Sequence, residues 1–261
     1  RPENREHPLH GKSQIALGMM IFGDNPIGWR ALSVLAGALT VVGVFSFTRH
    51  LTGATRAGLF AALFAMLGQL VFIQARIGML DVFLGALLVW AGTAFLRAMQ
   101  SDSRRRAIAF LLAGAIWFGG AVAVKWAAVP YVALACVAFL WLRRGHAERF
   151  GGLGWFSGLA ILGGVSIVTY FLTFAPAFFY ARDPLTLARL IPFQLDMWKL
   201  QTQALTPHNY QSDWWSWPLM IRPIWYFYEP DQGAVRGVLL IGNPAIMWGG
   251  LAAVAACWWA G

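Results

Sequence analysis

The sequence predicts an all-α integral membrane protein of about seven transmembrane helices, with amphipathic helices lying on the outer surface of the bilayer. Three observations predict it. The 261 residues are 59% hydrophobic and 12% charged, with a mean hydropathy of +0.59, too little polar surface for a water-soluble domain of this length. Apolar runs close to the ~20 residues needed to cross a ~30 Å hydrocarbon core recur along the chain. Basic residues gather in short loops between those runs. Despite a net charge of +9, that pattern marks membrane topology and not a nucleic-acid partner.

The elements follow in order. Apolar runs occur at about 28–48, 57–75, 79–97, 153–174 and 238–259. The stretch 107–142 is apolar except for Lys125. As one helix it would be ~54 Å long at ~1.5 Å per residue, so it divides at Lys125-Trp126 into two short crossings. Two outer segments read as surface helices. In KSQIALGMMIFGD, Ile15, Met19 and Phe22 share a face and Gly23 ends the helix. In DPLTLARLIPFQLDMWKLQ, Asp183 caps, Pro184 opens the first turn, and Leu187, Ile191, Leu195 and Trp198 line one side. Pro192 should kink or divide that helix. The Gly/Ala-rich run GGAVAV reads as close helix packing, and Cys136 and Cys257 as packing residues. The polar opening RPENREHPLHGK has no initiator methionine and the chain closes in the apolar CWWAG, so both ends read as cut.

Seven spans sort the loops. One side carries RHLTGATR, RAMQSDSRRR and RRGHAERF, with nine Lys/Arg against Asp102 and Glu148. Short Arg-rich loops stay in the cytoplasm, so the other set faces outward: residues 1–27, the turn QARIGMLD, Lys125 and the long loop 175–236. Every unusual polar motif falls on that outer side.

In QARIGMLD, Arg76 and Asp81 bracket a turn. They read either as a pair tidying the turn or as an arginine oriented by its acid toward a phosphate. Lys125 either snorkels to the interface or marks a substrate path. Arg30 opens its helix, where the dipole disfavours a cation, so an anionic headgroup would attract it. EHPLHGK offers Glu6, His7, His10 and Lys12 beside Pro and Gly. It reads as a solvated loop or as a site contributor, and its spacing is diagnostic of no metal, although a divalent ion stays open as a cofactor. In HNYQSDWWSWPLMIRP, Trp214, Trp215 and Trp217 suit an interfacial belt. The belt leaves His208, Tyr210, Ser212, Asp213 and Arg222 unexplained. Aromatics interleaved with hydrogen-bonding groups also build a wall for a sugar or lipid headgroup.

This last segment resembles the H-x-Y-x-S-x-W-W-x-W-P stretch of the protein O-mannosyltransferase family, membrane glycosyltransferases that use a polyprenyl-phosphate sugar. EHPLHGK is similar to the family's E-H-P-P-L-G-K, RIGMLD to its R-x-x-M-L-D, and FGDNPIGWR and AVKW match in order, so the likeness covers nearly the whole chain. It departs at Leu9 and His10, and the Asp-Glu pair that the family places after its first transmembrane helix does not precede Glu6. The catalytic acids are therefore expected outside these residues, and the fragment alone is expected to be inactive. The resemblance implies a GT-C type helical bundle forming one membrane glycosyltransferase domain over 1–261, with an outward cavity at the cell membrane, periplasmic or extracellular. An acidic residue would deprotonate an acceptor hydroxyl, which attacks the anomeric carbon with inversion as polyprenyl phosphate leaves. Arg30, Arg76 and Lys125 would stabilise the phosphate, Asp81 would orient Arg76, and 208–222 would close over donor or acceptor. The expected reaction moves a sugar, mannose first, from a polyprenyl-phosphate donor in the bilayer to Ser/Thr of an exported protein. The rivals are a related enzyme that modifies a lipid headgroup, as in aminoarabinose transferases, a secondary transporter, and a non-catalytic scaffold. Mid-membrane broken helices in paired repeats would favour the transporter, and no repeat shows.

Overall fold

The computed structural model describes residues 5–204, 206, 208 and 210–260. Among the described residues five helices are long and apolar enough to cross a membrane: α2 (Pro26–Thr52), α5 (Leu80–Met99), α6 (Arg104–Val124), the stretch Trp126–Arg143 containing α7 (Val129–Arg143), and Trp155–Phe179. The last combines α8 (Trp155–Leu159), a π turn at Ala160–Val165 and α9 (Ser166–Leu172). A sixth crossing exists if α3 (Thr55–Leu67) and α4 (Gln69–Ile77) count together. The sequence predicts one straight span at 57–75. Instead the pair is bent by 56° where Gly68 (φ −75°, ψ 114°) leaves the helix. Glycine is the residue that gives up least by breaking there.

Lipid-facing surface is written on the outsides of these helices. Leu134, Val137 and Trp141 of α7, and Ile167, Val168 and Leu172 of α9, are all exposed. α11 (Pro244–Ala260) buries none of its residues. In water such patches would aggregate, whereas in hydrocarbon they are matched to solvent. Inside, α5 and α6 pack through Ala91, Ala98, Ala107 and Leu111, with Phe139 and Phe150 fully buried beside them. GGAVAV packs as its composition predicts. A Cβ on Gly119 would lie 2.4 Å from the Ser166 carbonyl oxygen, so α6 and α9 meet backbone to backbone.

The division at Lys125 is present. α6 stops at Val124, Lys125 is extended (φ −157°, ψ 133°), and one 3₁₀ turn, Trp126–Ala128, leads into α7. At the opposite end of the bundle the Arg-rich loops come together. Gln100 donates to the His50 carbonyl at 2.8 Å, and Gly151 packs against Ser103 and Arg104.

The two surface helices also form. α1 (His10–Phe22) ends at Gly23, whose φ of 89° suits glycine, and Asn25 caps α2 by accepting from the Ile27 and Gly28 amides. α10 (Leu187–Thr202) starts later than the sequence suggests. Asp183 does not cap it: its φ is 50° and its carboxylate takes Arg189 at 2.7 Å, while Thr186 holds the cap position. α10 also runs through Pro192 undivided. Leu187, Ile191, Leu195 and Trp198 are exposed along one side, and Met197 is fully buried on the other.

An antiparallel hairpin, β1 (Ile224–Asp231) and β2 (Ala234–Leu240), is added to the expected helical architecture. It shortens the span predicted at 238–259, since α11 begins only at Pro244. The two-residue turn Gln232-Gly233 has φ of 49° and 81°, the signature of a type I′ connection whose twist matches the strands.

Candidate functional site

The site is built where the break in α6–α7 faces the turn between α4 and α5. α4 ends at Gly78 in the left-handed region, Met79 is extended, and Asp81 falls in the first turn of α5, where a helix N-terminus favours a carboxylate. Lys125, freed from helical geometry, reaches across so that its Nζ lies 2.9 Å from Asp81 Oδ1. The two side chains keep 28% and 29% of their surface accessible, so the pair is half-sunk but reachable.

The partner of Asp81 is therefore Lys125, and the expected orientation of Arg76 by Asp81 is corrected. Arg76 sits in the last turn of α4 before the chain reverses at Gly78, and its guanidinium stands 5.1 Å over the Phe72 ring, exposed. Arg30 is also exposed. It is carried beside the same turn, because Gly78 packs against the Trp29 carbonyl. Among the described residues neither arginine forms an ion pair.

The EHPLHGK loop closes the site from another side. A Cβ on Gly11 would lie 2.7 Å from Leu80 and 3.2 Å from Val124, so α1 packs on the residues flanking both members of the pair. Lys12 Nζ donates to the His7 carbonyl at 2.8 Å. Burial lowers the His7 pKa, and the charges of Lys125 and then Lys12 lower it further against the opposing pull of Glu6 and Asp81. His7 Nδ1 is buried and meets no hydrogen-bond partner among the described residues. Burial lowers the Lys12 pKa too, opposed by Glu6. Among the described residues no group of three His, Cys, Asp or Glu is placed to hold a metal ion.

The 208–222 segment closes mainly on itself. Tyr210 takes a hydrogen bond from Trp225 Nε1 at 3.2 Å, Trp217 Nε1 donates to Ser212 at 3.1 Å, and Arg222 donates to the Gln211 carbonyl and lies 5.3 Å over the Tyr210 ring. His208 Nδ1 accepts from the Tyr210 amide, and Trp214, Trp215 and Trp217 are exposed. These hydrogen bonds, among the described residues, run within the segment and to β1, away from the Lys125–Asp81 pair. The link runs instead through Tyr226, a residue that the motif reading passes over. The β1–β2 register slips between Trp225 and Phe227, leaving Tyr226 in a bulge that aims its phenol at Gln74 Nε2, 3.5 Å away. Burial raises the Tyr226 pKa, and the charge of Asp81 adds to the rise. The turn Asp231-Gln232-Gly233 after an aromatic-rich run was the available signal for it.

Two hollows are lined in part by α1 or the loop before it. An apolar groove of about 400 Å³ is lined by Leu32, Leu39, Phe83, Leu87 and Trp117, with His10 on its α1 side. A smaller, polar cleft of about 190 Å³ lies under α10, between Arg5, Tyr180, Asp183, Arg189 and Asp196.

A polytopic helical bundle with a bent helix pair, a carboxylate–ammonium pair at one end and α1 packed beside it defines a membrane-spanning protein. Family comparison agrees. Residues 6–180 match the model described as dolichyl-phosphate-mannose-protein mannosyltransferase, and 186–260 match the C-terminal four-transmembrane region of protein-O-mannosyltransferase. The chain belongs to the protein O-mannosyltransferase family. It is 26% identical over 300 residues to the polyprenol-phosphate-mannose–protein mannosyltransferase of Corynebacterium glutamicum and 27% identical to that of Mycobacterium tuberculosis, with 93% of this chain covered in both. It spans 58% and 57% of the length of those relatives. A 76-residue stretch, 29% of this chain and 14% of the relative, is 38% identical to an undecaprenyl phosphate-alpha-4-amino-4-deoxy-L-arabinose arabinosyl transferase of Pseudomonas fluorescens. The fold matches the S. cerevisiae protein O-mannosyltransferase Pmt1–Pmt2 complex bound to the sugar donor. That match has a TM-score of 0.58 and 24% identity, over 66% of this chain and 27% of that one.

Proposed function

We propose that the protein transfers a sugar, mannose first among candidates, from a polyprenyl-phosphate donor to Ser/Thr hydroxyls of exported proteins. The observation that carries this reading is the Lys125–Asp81 pair, held at the turn between two membrane crossings and left partly accessible. A cation at membrane depth is costly unless it serves a charge, and a lipid phosphate at the bilayer boundary is a charge of the right sign and depth. The curated relatives carry the same substrate class in their names. The apolar groove is lined by His10 and Gln14 of α1 and by Phe83, two residues from Asp81, and on this reading it holds the isoprenoid chain while the phosphate meets Lys125.

In the proposed reaction the acceptor oxygen attacks the anomeric carbon, the bond from that carbon to the phosphate oxygen breaks, and configuration inverts. The negative charge growing on the departing phosphate is met by the Lys125 ammonium, kept in place by Asp81. Arg76 and Arg30, exposed beside the same turn, extend the cationic rim. His7, kept neutral near pH 7 by its lowered pKa, adds no competing positive charge and offers Nδ1 as a hydrogen-bonding group. The proton of the acceptor hydroxyl passes to a carboxylate base. On this reading 1–261 is one membrane glycosyltransferase domain, the Lys125 end faces the periplasm or exterior, and 175–236, with its exposed tryptophans, lies over that face.

The test is transfer by the intact protein in membranes, using radiolabelled polyprenyl-phosphate mannose, a Ser/Thr-rich secreted acceptor and a no-acceptor control. Label on the protein supports the proposal. Label moving only to lipid would favour the headgroup-modifying reading, which the match to the arabinosyl transferase keeps in view.

A further inference from the structure

The break at Lys125 is tied to a helix distant in sequence. Trp126 Nε1, on the residue next to the lysine, donates to the Tyr170 hydroxyl at 3.0 Å. The same hydroxyl donates to Gln194 Oε1 on α10, and Gln194 Nε2 is held by the Leu190 carbonyl at 3.2 Å. Trp126 also lies against Trp198 of α10, with ring centroids 6.3 Å apart. Tyr170 is buried at 8% exposure among Leu9, Phe174 and Met197. A second link joins the far end of α10 to the other wall of the site, where Gln201 Nε2 donates to the Glu6 carbonyl, one residue before His7.

We infer that Tyr170 is a positioning residue: its hydroxyl locks the Lys125-Trp126 corner to α10 and so aims Lys125 at Asp81. A turn between two crossings leaves backbone polar groups without helical partners, which apolar surroundings punish, so the corner is held by side chains. Tyr170 is suited to that task because one oxygen accepts from α9's neighbour in space and donates to the surface helix. The corner's own backbone bonds, Lys125 amide to the Ala121 carbonyl, Ala128 amide to the Lys125 carbonyl and Val129 amide to the Trp126 carbonyl, are all local, so Tyr170 supplies its hydrogen bond to a distant helix. Leu187, Ile191 and Leu195 stay exposed on α10 while Trp198 meets Trp126, so this surface helix also sets the geometry of the cation.

The inference rests on the proposed phosphate role of Lys125 for its functional consequence, but its geometric part can be read separately. Tyr170→Phe keeps the ring, with its edge contacts to Phe171 and Phe174, and deletes only the hydroxyl. The intact protein in nanodiscs would be titrated with a short-chain polyprenyl phosphate as wild type, Tyr170→Phe, Lys125→Met and the double variant. The acylation rate of Lys125 by a water-soluble lysine reagent would be followed by mass spectrometry in wild type and Tyr170→Phe. Expected results are a three- to tenfold weaker affinity in Tyr170→Phe, no further loss when it is added to Lys125→Met, and a changed Lys125 acylation rate. An equal loss in the Lys125→Met background, or an unchanged acylation rate, would overturn the positioning role. If the wild type fails to bind polyprenyl phosphate while Tyr170→Phe still alters Lys125 acylation, the phosphate reading falls and the lock stands. Should Tyr170→Phe fold poorly, Trp126→Phe removes the donor from the other side and carries the same expectations.

Discussion

Removing the Lys125 ammonium tests the site in the most quantitative way. Lys125→Met keeps a long, flexible apolar stem and deletes only the charge. The structure sets two opposing consequences. For stability, Asp81 loses a partner at 2.9 Å, but with 28% and 29% of the two side chains accessible, water compensates much of that loss. A charge-assisted hydrogen bond is worth about 1.5–3 kcal/mol, and this exposure puts the expected folding cost at about 1 kcal/mol. For transfer, the same ammonium is proposed to meet the charge that grows on the leaving phosphate. Removing one such preorganised donor costs about 2.7–4 kcal/mol of transition-state stabilisation, roughly 100- to 1,000-fold in rate. The assay is initial-rate transfer of radiolabelled mannose by the intact protein in membranes, with thermal unfolding measured on the same preparation. A large rate loss beside a small stability loss is expected. Asp81→Asn should lose less, about tenfold, because it unlatches the ammonium without removing it. Lys125→Met turning over within twofold of wild type would refute the reasoning.

Other expectations follow from single contacts. Gly119→Val pushes a side chain into the Ser166 carbonyl 2.4 Å away and should destabilise the α6–α9 packing by about 1–3 kcal/mol, read as a lowered midpoint of thermal unfolding. Gly233→Val forces a β-branched residue to a φ of 81° and should cost the hairpin about 1–2 kcal/mol, seen as faster proteolytic cutting near Gln232 while the helical core persists. Burial and two lysines hold the His7 pKa below its ordinary 6.5, so the unfolded chain takes up a proton that the folded one refuses. The stability from this neutral His7 is complete above pH 6.5 and is lost as the pH falls through the lowered value. His7→Gln should therefore flatten the difference in unfolding midpoint between pH 7.5 and 5.5, and an unchanged difference would count against a buried neutral His7.

Much of the frame was legible because length and hydropathy leave few choices in a membrane. The run 107–142 is too long for one crossing, and Lys125 marks where it breaks. Gly23 announces the end of α1 through glycine's freedom at positive φ. The pairing at the site was less legible. Arg76 is five residues from Asp81, but Gly78 and Met79 turn the chain so that α4's last turn points away, and the carboxylate meets a lysine 44 residues on. Non-local partnership of that kind leaves no trace in spacing. Gly68 sits in an apolar run with no proline or charge beside it, so 57–75 read as straight. The hairpin was hidden differently. Its aromatic strands resemble an interfacial belt, and the bulge at Tyr226 breaks the period-2 pattern that would have exposed it.

The most direct test of the whole account is an experimental structure of the intact protein with a polyprenyl phosphate bound. The account predicts phosphate oxygens within hydrogen-bonding distance, about 3 Å, of Lys125 Nζ, with Asp81 still on the lysine's other side and the isoprenoid chain leaving toward the groove lined by Leu32 and Trp117. A phosphate bound elsewhere, with the Lys125–Asp81 pair closed and out of its reach, would contradict it.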